Sequence, residues 1–279
     1  MSKTEKGSDG VAASSAFNHS DIHSTLGFRH SSLKSHARCF IPVSYWNRVD
    51  IALSDDESHH LLHVLRAKPG DKVEVFNGEG GTGIASVTVA DRGGVTVRIL
   101  ERAEQKRPAV RLALIQALPR EQKMDLILQK AVELGASEIV PVTTENAVVH
   151  VKQDRSEGKR ERWEKIALNA AKQCGTAWLP KIAPARTLSA FIAAGQSFDV
   201  LLVCALDERT VPIRDAIQSI KSRAVSSIGV LVGPEGDFSP AEMGAIRAAG
   251  AVPVSLGDSV LRSETAAIYA LSVLRYEFL

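Results

Sequence analysis

Two segments carry residue types suited to handling a bound ligand. In the first, Val230-Leu231-Val232 runs straight into Gly233-Pro234-Glu235-Gly236-Asp237-Phe238 and then into Ser239-Pro240. An apolar strand entering a Gly-Pro-Glu-Gly turn, followed by a helix with Ser at its cap and Pro at its first position, brings backbone N–H and C=O groups close to any ligand. A plain strand-to-helix turn reads the same way. The second segment, Val254-Ser255-Leu256-Gly257-Asp258-Ser259-Val260-Leu261-Arg262-Ser263-Glu264-Thr265, repeats the theme of strand, glycine and irregular loop before a helix. Arg262 falls at that helix's N-terminus, where the macrodipole disfavours a cation. Its charge therefore points to holding an anion or polarising a carbonyl, with a simple surface arginine as the alternative.

Other chemistries leave weaker traces. His59 and His63 in His59-His60-Leu61-Leu62-His63 share a helix face, as metal ligands would, but no third ligand stands out and no metal is expected. Arg120, Lys123 and Lys130 are either a strip for phosphates or a solvated helix face. Cys39, Cys174 and Cys204 form no C-x-x-C pair and read as small core residues in a reducing compartment. P-loop, dinucleotide-binding and G-x-S-x-G signatures are missing.

The elements that must position these residues fall into two patterns. Residues 36–107 hold short strands at 39–41, 72–76, 83–89 and 94–100, broken by Pro-Gly and Asn-Gly turns, with one helix over 56–66 capped by Ser54 or Asp55. Such closely spaced strands predict a small β-barrel. Residues 108–279 alternate: strand 112–118, helix 122–134 stopped by Gly135, strand 139–142, a charged helix 158–173, strands 199–205 and 228–232, helix 240–249, strand 252–256 and a last helix from Ser263. This alternation predicts an α/β domain, a parallel sheet covered by helices on both faces. Ligands of such sheets bind at the carboxyl ends of the strands, where both Gly-containing loops lie.

Composition sets the outer limits. The 279 residues carry 34 Lys+Arg against 32 Asp+Glu, so nucleic acid would have to be held by local basic patches. The longest apolar run, 200–206, is far short of the roughly 20 residues of a membrane helix. Residues 1–35, rich in Ser, Gly and His without apolar period, read as a disordered tail. Glu5, Asp9 and Asp21 argue against a transit peptide, so a cytoplasmic protein is expected.

Five motifs in order carry a family resemblance: His59 to Arg66; Gln129-Lys130-Ala131-Val132-Glu133-Leu134-Gly135-Ala136; Glu161-Arg162-Trp163 through Gln173-Cys174-Gly175; Gly233 to Gly236; and Leu256-Gly257 through Leu261 to Ala266. On these the chain resembles the bacterial 16S ribosomal RNA uridine-N3 methyltransferases of the SPOUT class, from about residue 37 to the end. The resemblance implies a PUA-like β-barrel, a C-terminal α/β domain with a deep trefoil knot, and a homodimer. It also implies S-adenosylmethionine bound among Ala205 and Leu206, Val232 with Gly233-Pro234-Glu235-Gly236, and Leu256, Gly257, Val260, Leu261 and Arg262. Uridine N3 of small-subunit 16S RNA would be methylated, with Arg262 stabilising charge on the base and Glu264 as a candidate base or helix cap. Arg38, Arg66, Lys72, Arg120, Lys123 and Lys130 would contact RNA.

Two positions depart from the family's pattern. Asp237 stands where a second glycine is usual, and Thr176 where an arginine usually follows Gln-Cys-Gly, which puts one RNA contact in question. Alternatives are a related enzyme acting at another RNA position, a non-catalytic RNA-binding assembly factor, and an unrelated small-molecule α/β enzyme.

Overall fold

A computed structural model describes residues 37–147, 156–195, 198–207 and 209–279. The expected tail, 1–35, lies outside them.

The N-terminal part is a five-stranded mixed sheet of β1 (Arg38–Phe40), β2 (Asp50–Ala52), β3 (Lys72–Phe76), β4 (Gly81–Asp91) and β5 (Gly94–Glu104), in the order β1-β3-β4-β5-β2. Period-2 alternation in β3 to β5 turns Val73, Val75, Val87, Val95 and Val97 inward onto Cys39, Ile41 and Leu61. Among the described residues no ladder joins β1 to β2, so the closed barrel expected from strand spacing is replaced by an open sheet. The short strand β2 and the turn α1 (Val43–Trp46) were not legible in the pattern. The expected helix is α2 (Asp55–His59), capped by Ser54, continuing as a π-helical turn, His60–Val64.

The C-terminal part is an eight-stranded, wholly parallel sheet. Its strands are β6 (Arg111–Ala117), β7 (Ala136–Thr143), β8 (Lys181–Ile182), β9 (Arg186–Thr187), β10 (Val200–Cys204), β11 (Val211–Pro212), β12 (Ser227–Val232) and β13 (Val252–Ser255). They run β11-β13-β10-β12-β6-β7-β8, with β9 also on β7. Alternate residues divide between two cores, because successive side chains of a strand point to opposite faces. Leu112, Leu114, Val230 and Leu202 face α3 (Glu121–Glu133), α4 (Ser156–Cys174), α6 (Ile213–Lys221) and α8 (Ser263–Phe278). Ala113, Ile115, Leu231 and Val203 face α5 (Leu188–Ala193) and α7 (Pro240–Ala248).

A polar seam joins the two sheets. The Arg38 guanidinium donates to the Ala171 carbonyl at 2.6 Å and lies 4.2 Å over the Phe76 ring. Leu179 N–H donates to Gly78 O, and Gly80 N–H to Ala177 O. A Cβ on Gly80 would meet the Trp178 ring at 2.4 Å, which is why the 77–81 turn must be glycine-rich. Thr176 accepts from the Trp178 N–H at 3.2 Å, so this family departure helps shape the seam. Deeper in, Lys172 forms an ion pair with Glu57, whose side chain is only 3% exposed. Burial, with Glu57 nearby, pushes the Cys39 thiol up to about 12 and keeps it neutral. Cys39 and Cys204 are buried as expected, whereas Cys174 is exposed.

Removing one partner of a buried ion pair leaves an uncompensated charge. Lys172→Met should therefore lower the unfolding free energy by about 3 kcal/mol in urea titrations. A loss within about 0.5 kcal/mol, the range of ordinary surface substitutions, would contradict a buried seam charge.

Candidate functional site

The carboxyl ends of β10, β12 and β13 open into one cavity of about 250 Å³. These strands are adjacent but far from consecutive: β12 sits between β6 and β10, and β10 between β12 and β13. Such a change in strand order leaves a crevice where open α/β sheets hold ligands. Three loops form the walls: Ala205 and Leu206 after β10, Gly233 to Asp237 after β12, and Leu256 to Arg262 after β13. Val232, Val254 and Ala266 supply an apolar floor, while Glu235, Ser259 and Arg262 supply polar groups. Cys204 also lines the cavity, but burial raises its thiol to about 12, so it is no nucleophile.

Buried hydrogen bonds fix the middle wall. Gln116, at the end of β6, donates from Nε2 to Ser263 Oγ at 2.9 Å, and that hydroxyl donates to Gly233 O at 2.7 Å. Gln116 is fully buried and Ser263 nearly so, which leaves little freedom to either bond. On the outer side Asn146 Nδ2 donates to Gly236 O and Asp237 O at 3.2 and 3.1 Å. Ser239 and Glu242 form a reciprocal capping box that starts α7, and Glu242 also accepts from Glu145 N–H. Asp237 adopts φ 57°, a left-handed conformation that glycine adopts most easily and that Asp tolerates better than most residues. Asp237 therefore holds a backbone shape that a glycine would adopt without strain.

The first wall is held by Asp207, which ion-pairs with Arg247 of α7. The Arg209 N–H, with Arg247 beside it, keeps the Asp207 carboxyl below the usual carboxylate range. The third wall ends at Arg262, the exposed N-cap residue of α8. No carboxylate pairs with its guanidinium among the described residues.

Ten of the sequence-derived ligand positions, Ala205, Leu206, Val232, Gly233, Pro234, Glu235, Leu256, Gly257, Val260 and Leu261, line this one cavity, together with Arg262. Gly236 lies on the turn just outside it. Glu264 lies elsewhere: its carboxylate is outside the cavity lining, 3.2 Å from Lys123 Nζ, and it makes no cap on its own helix. The Arg38 side chain is 10% exposed and engaged in the seam. Lys123 binds Glu235 at 2.7 Å and Lys130 binds Glu133 at 2.8 Å, so neither presents a bare charge. Arg66, Lys72 and Arg120 are exposed, and Arg66 holds a left-handed φ of 54° after the π turn. The exposed His59 and His63 rings are tilted against each other with centroids 4.6 Å apart, and the described residues hold no three-residue metal cluster. Sequence reasoning missed Gln116 and Asn146, which reach the loops only through tertiary hydrogen bonds, and Asp207, whose ion pair with Arg247 only the fold brings about.

Residues 105–275 match the RNA methyltransferase domain family, and residues 53–100 match the RNA methyltransferase PUA domain. A ribosomal RNA small subunit methyltransferase E of Mycobacterium bovis is 32% identical over 77% of this chain and 82% of its own. The Synechocystis protein of the same name is 31% identical over 80% of this chain and 71% of its own. Among solved structures, a ribosomal RNA small subunit methyltransferase E from Neisseria gonorrhoeae bound to S-adenosyl methionine superposes with TM-score 0.77 at 28% identity, covering 86% of this chain and 97% of that one. The fold, the cavity and these matches agree: the chain belongs to the RNA methyltransferase family of the small-subunit methyltransferase E proteins. No helix among the described residues is long and apolar enough to cross a membrane.

The Lys123 ammonium holds the Glu235 carboxyl below the usual carboxylate range. A depressed acid contributes stability above its unfolded pKa and loses it as pH falls through the folded value. The stability gap between wild type and Glu235→Gln should thus be constant near neutral pH and shrink below about pH 4. Melting curves across that range check it; a gap unchanged down to pH 3 would contradict the ion pair.

Proposed function

We propose that this chain transfers the methyl group of S-adenosylmethionine to N3 of a uridine in the 16S ribosomal RNA of the small subunit. The observation that carries this reading is the single cavity at the ends of β10, β12 and β13, walled by the three loops named above. Its residues fit the cofactor. The apolar floor suits a flat purine, Gly233 and Leu256 line the cavity, and Gly257 has φ 127° with open space beside it. When bound, S-adenosylmethionine supplies a methyl group already activated by its sulfonium.

The protein's own part is then to position the uracil and manage charge. N3–H lies on the Watson–Crick edge, so the target uridine must be unpaired and turned out of its stack. As N3 gives up its proton to solvent water, negative charge spreads onto O2 and O4, and this charge is discharged when N3 takes the methyl group. Arg262 lines the cavity without a carboxylate partner among the described residues and is the group we assign to that charge. Glu264 faces Lys123 instead, so it is assigned no proton-transfer role.

The remaining features follow the same reading. Residues 36–107 would hold RNA and residues 108–279 would bind cofactor, with the 205–263 loops threaded as a SPOUT-class trefoil knot. Arg66, Lys72 and Arg120 would contact phosphates. Val260, 74% exposed at the cavity edge, and Tyr269 and Tyr276, exposed on one face of α8, favour a homodimer packed beside the cavity.

Methyl transfer from labelled S-adenosylmethionine to small subunits lacking the modification, followed by nucleoside analysis, tests this directly. We expect labelled 3-methyluridine, reduced at least about 100-fold in Arg262→Ala if that guanidinium stabilises transition-state charge. A different methylated nucleoside would overturn the N3 assignment. No transfer and no cofactor binding would favour a non-catalytic RNA-binding factor.

A further inference from the structure

Lys123 projects from the first turn of α3, outside the cavity, yet it touches one cavity wall and the helix turn that follows another. Its Nζ donates to Glu235 Oε1 at 2.7 Å, in the Gly-Pro-Glu-Gly turn, and lies 3.2 Å from Glu264 Oε2, in the first turn of α8, as an ion pair without hydrogen-bond geometry. The three side chains are partly shielded, at 26%, 33% and 13% exposure, so the ammonium sits between two carboxylates in a setting of reduced dielectric. We propose that Lys123 is a positioning residue: it latches the turn after β12 to the start of α8, and so holds the cofactor cavity in its binding shape, rather than contacting RNA.

Two ties join these segments. The inner one is the Ser263 hydroxyl on Gly233 O. It fixes the base of the turn and leaves Glu235, two residues on, to be held from outside. Lys123 is the group that does so, and Arg120 adds a weaker field at Glu235. A lysine already neutralised by two carboxylates offers little to a phosphate. The latch therefore reassigns a residue that its sequence position marks as a phosphate contact. This inference rests on reading the cavity as the cofactor site.

Field and geometry predict opposite signs. Removing the ammonium leaves Glu235 uncompensated at the cavity, which would draw a sulfonium ligand more tightly if charge alone mattered. If Lys123 acts by holding the wall, its loss loosens the ligand. Titration calorimetry with S-adenosylmethionine on the full chain separates the two. Lys123→Met should raise Kd about tenfold, Glu264→Gln should raise it in the same direction, and Lys123→Arg should restore most of the affinity. In the methyl-transfer assay, KM for the cofactor should rise while kcat at saturation stays within about twofold. The slope of log affinity for small-subunit RNA against log salt should not change, whereas loss of a phosphate contact would lower it by about one.

Unchanged or tighter cofactor binding in Lys123→Met overturns the latch, and a reduced salt slope returns Lys123 to the RNA surface. Should Lys123→Met not fold, Glu264→Gln with wild-type cofactor affinity overturns it equally. Failure of the wild-type protein to bind the cofactor refutes the cofactor reading itself, a result distinct from any difference among variants.

Discussion

Everything at this site hangs on a hydrogen-bond relay of two side chains and one carbonyl. Gln116 lies next to the end of β6, Ser263 begins the last helix, and Gly233 opens the turn after β12. One amide and one hydroxyl connect them at 2.9 and 2.7 Å with almost no exposure to water. Buried polar groups favour fixed partners because leaving one unpaired costs about 1–3 kcal/mol. Gln116 Nε2 also donates to Ala117 O, while its Oε1 finds no partner among the described residues. The amide's orientation is thus set by its two acceptors, and through Ser263 it sets the turn. An apolar residue at 116 would fill the same space and fix nothing.

Around that centre the bonding becomes progressively more exposed. Asn146 and the Ser239–Glu242 capping box hold the outside of the same turn, Asp207 and Arg247 hold the loop after β10, and Lys123 lies across Glu235 and Glu264. Several basic residues are engaged inside the protein, including Arg38 and Lys172 at the seam. This explains how a chain with nearly equal numbers of acids and bases presents particular cations outward. Arg66, Lys72, Arg120 and Arg262 remain exposed, and none of them forms an ion pair among the described residues, a fact that only the fold determines.

Much of the architecture was readable from local signals. The parallel sheet, with β6, β7, β10, β12 and β13, shows as apolar runs between helical periods, and Gly135, Ser239 and Pro240 mark helix ends by their own backbone preferences. The short elements β2, β8, β9 and β11 are too brief to carry a period, and their pairing depends on strands distant in the sequence. An open N-terminal sheet was likewise invisible, since strand spacing is the same whether or not the ends meet. At the site, loops following apolar strands identified most cavity residues. The contacts of Lys123 with Glu235 and Glu264 were not legible, because a side chain's direction depends on tertiary partners distant in the sequence. Asp237 could be judged only from its φ.

Hydrogen–deuterium exchange on the full chain, with and without S-adenosylmethionine, tests the central claim most directly. The account predicts new protection in peptides spanning 204–206, 232–238 and 254–263, the three walls of the cavity, two of them joined through Gly233 and Ser263, with the N-terminal sheet unchanged. Binding that protects other segments and leaves these three as they were would contradict it.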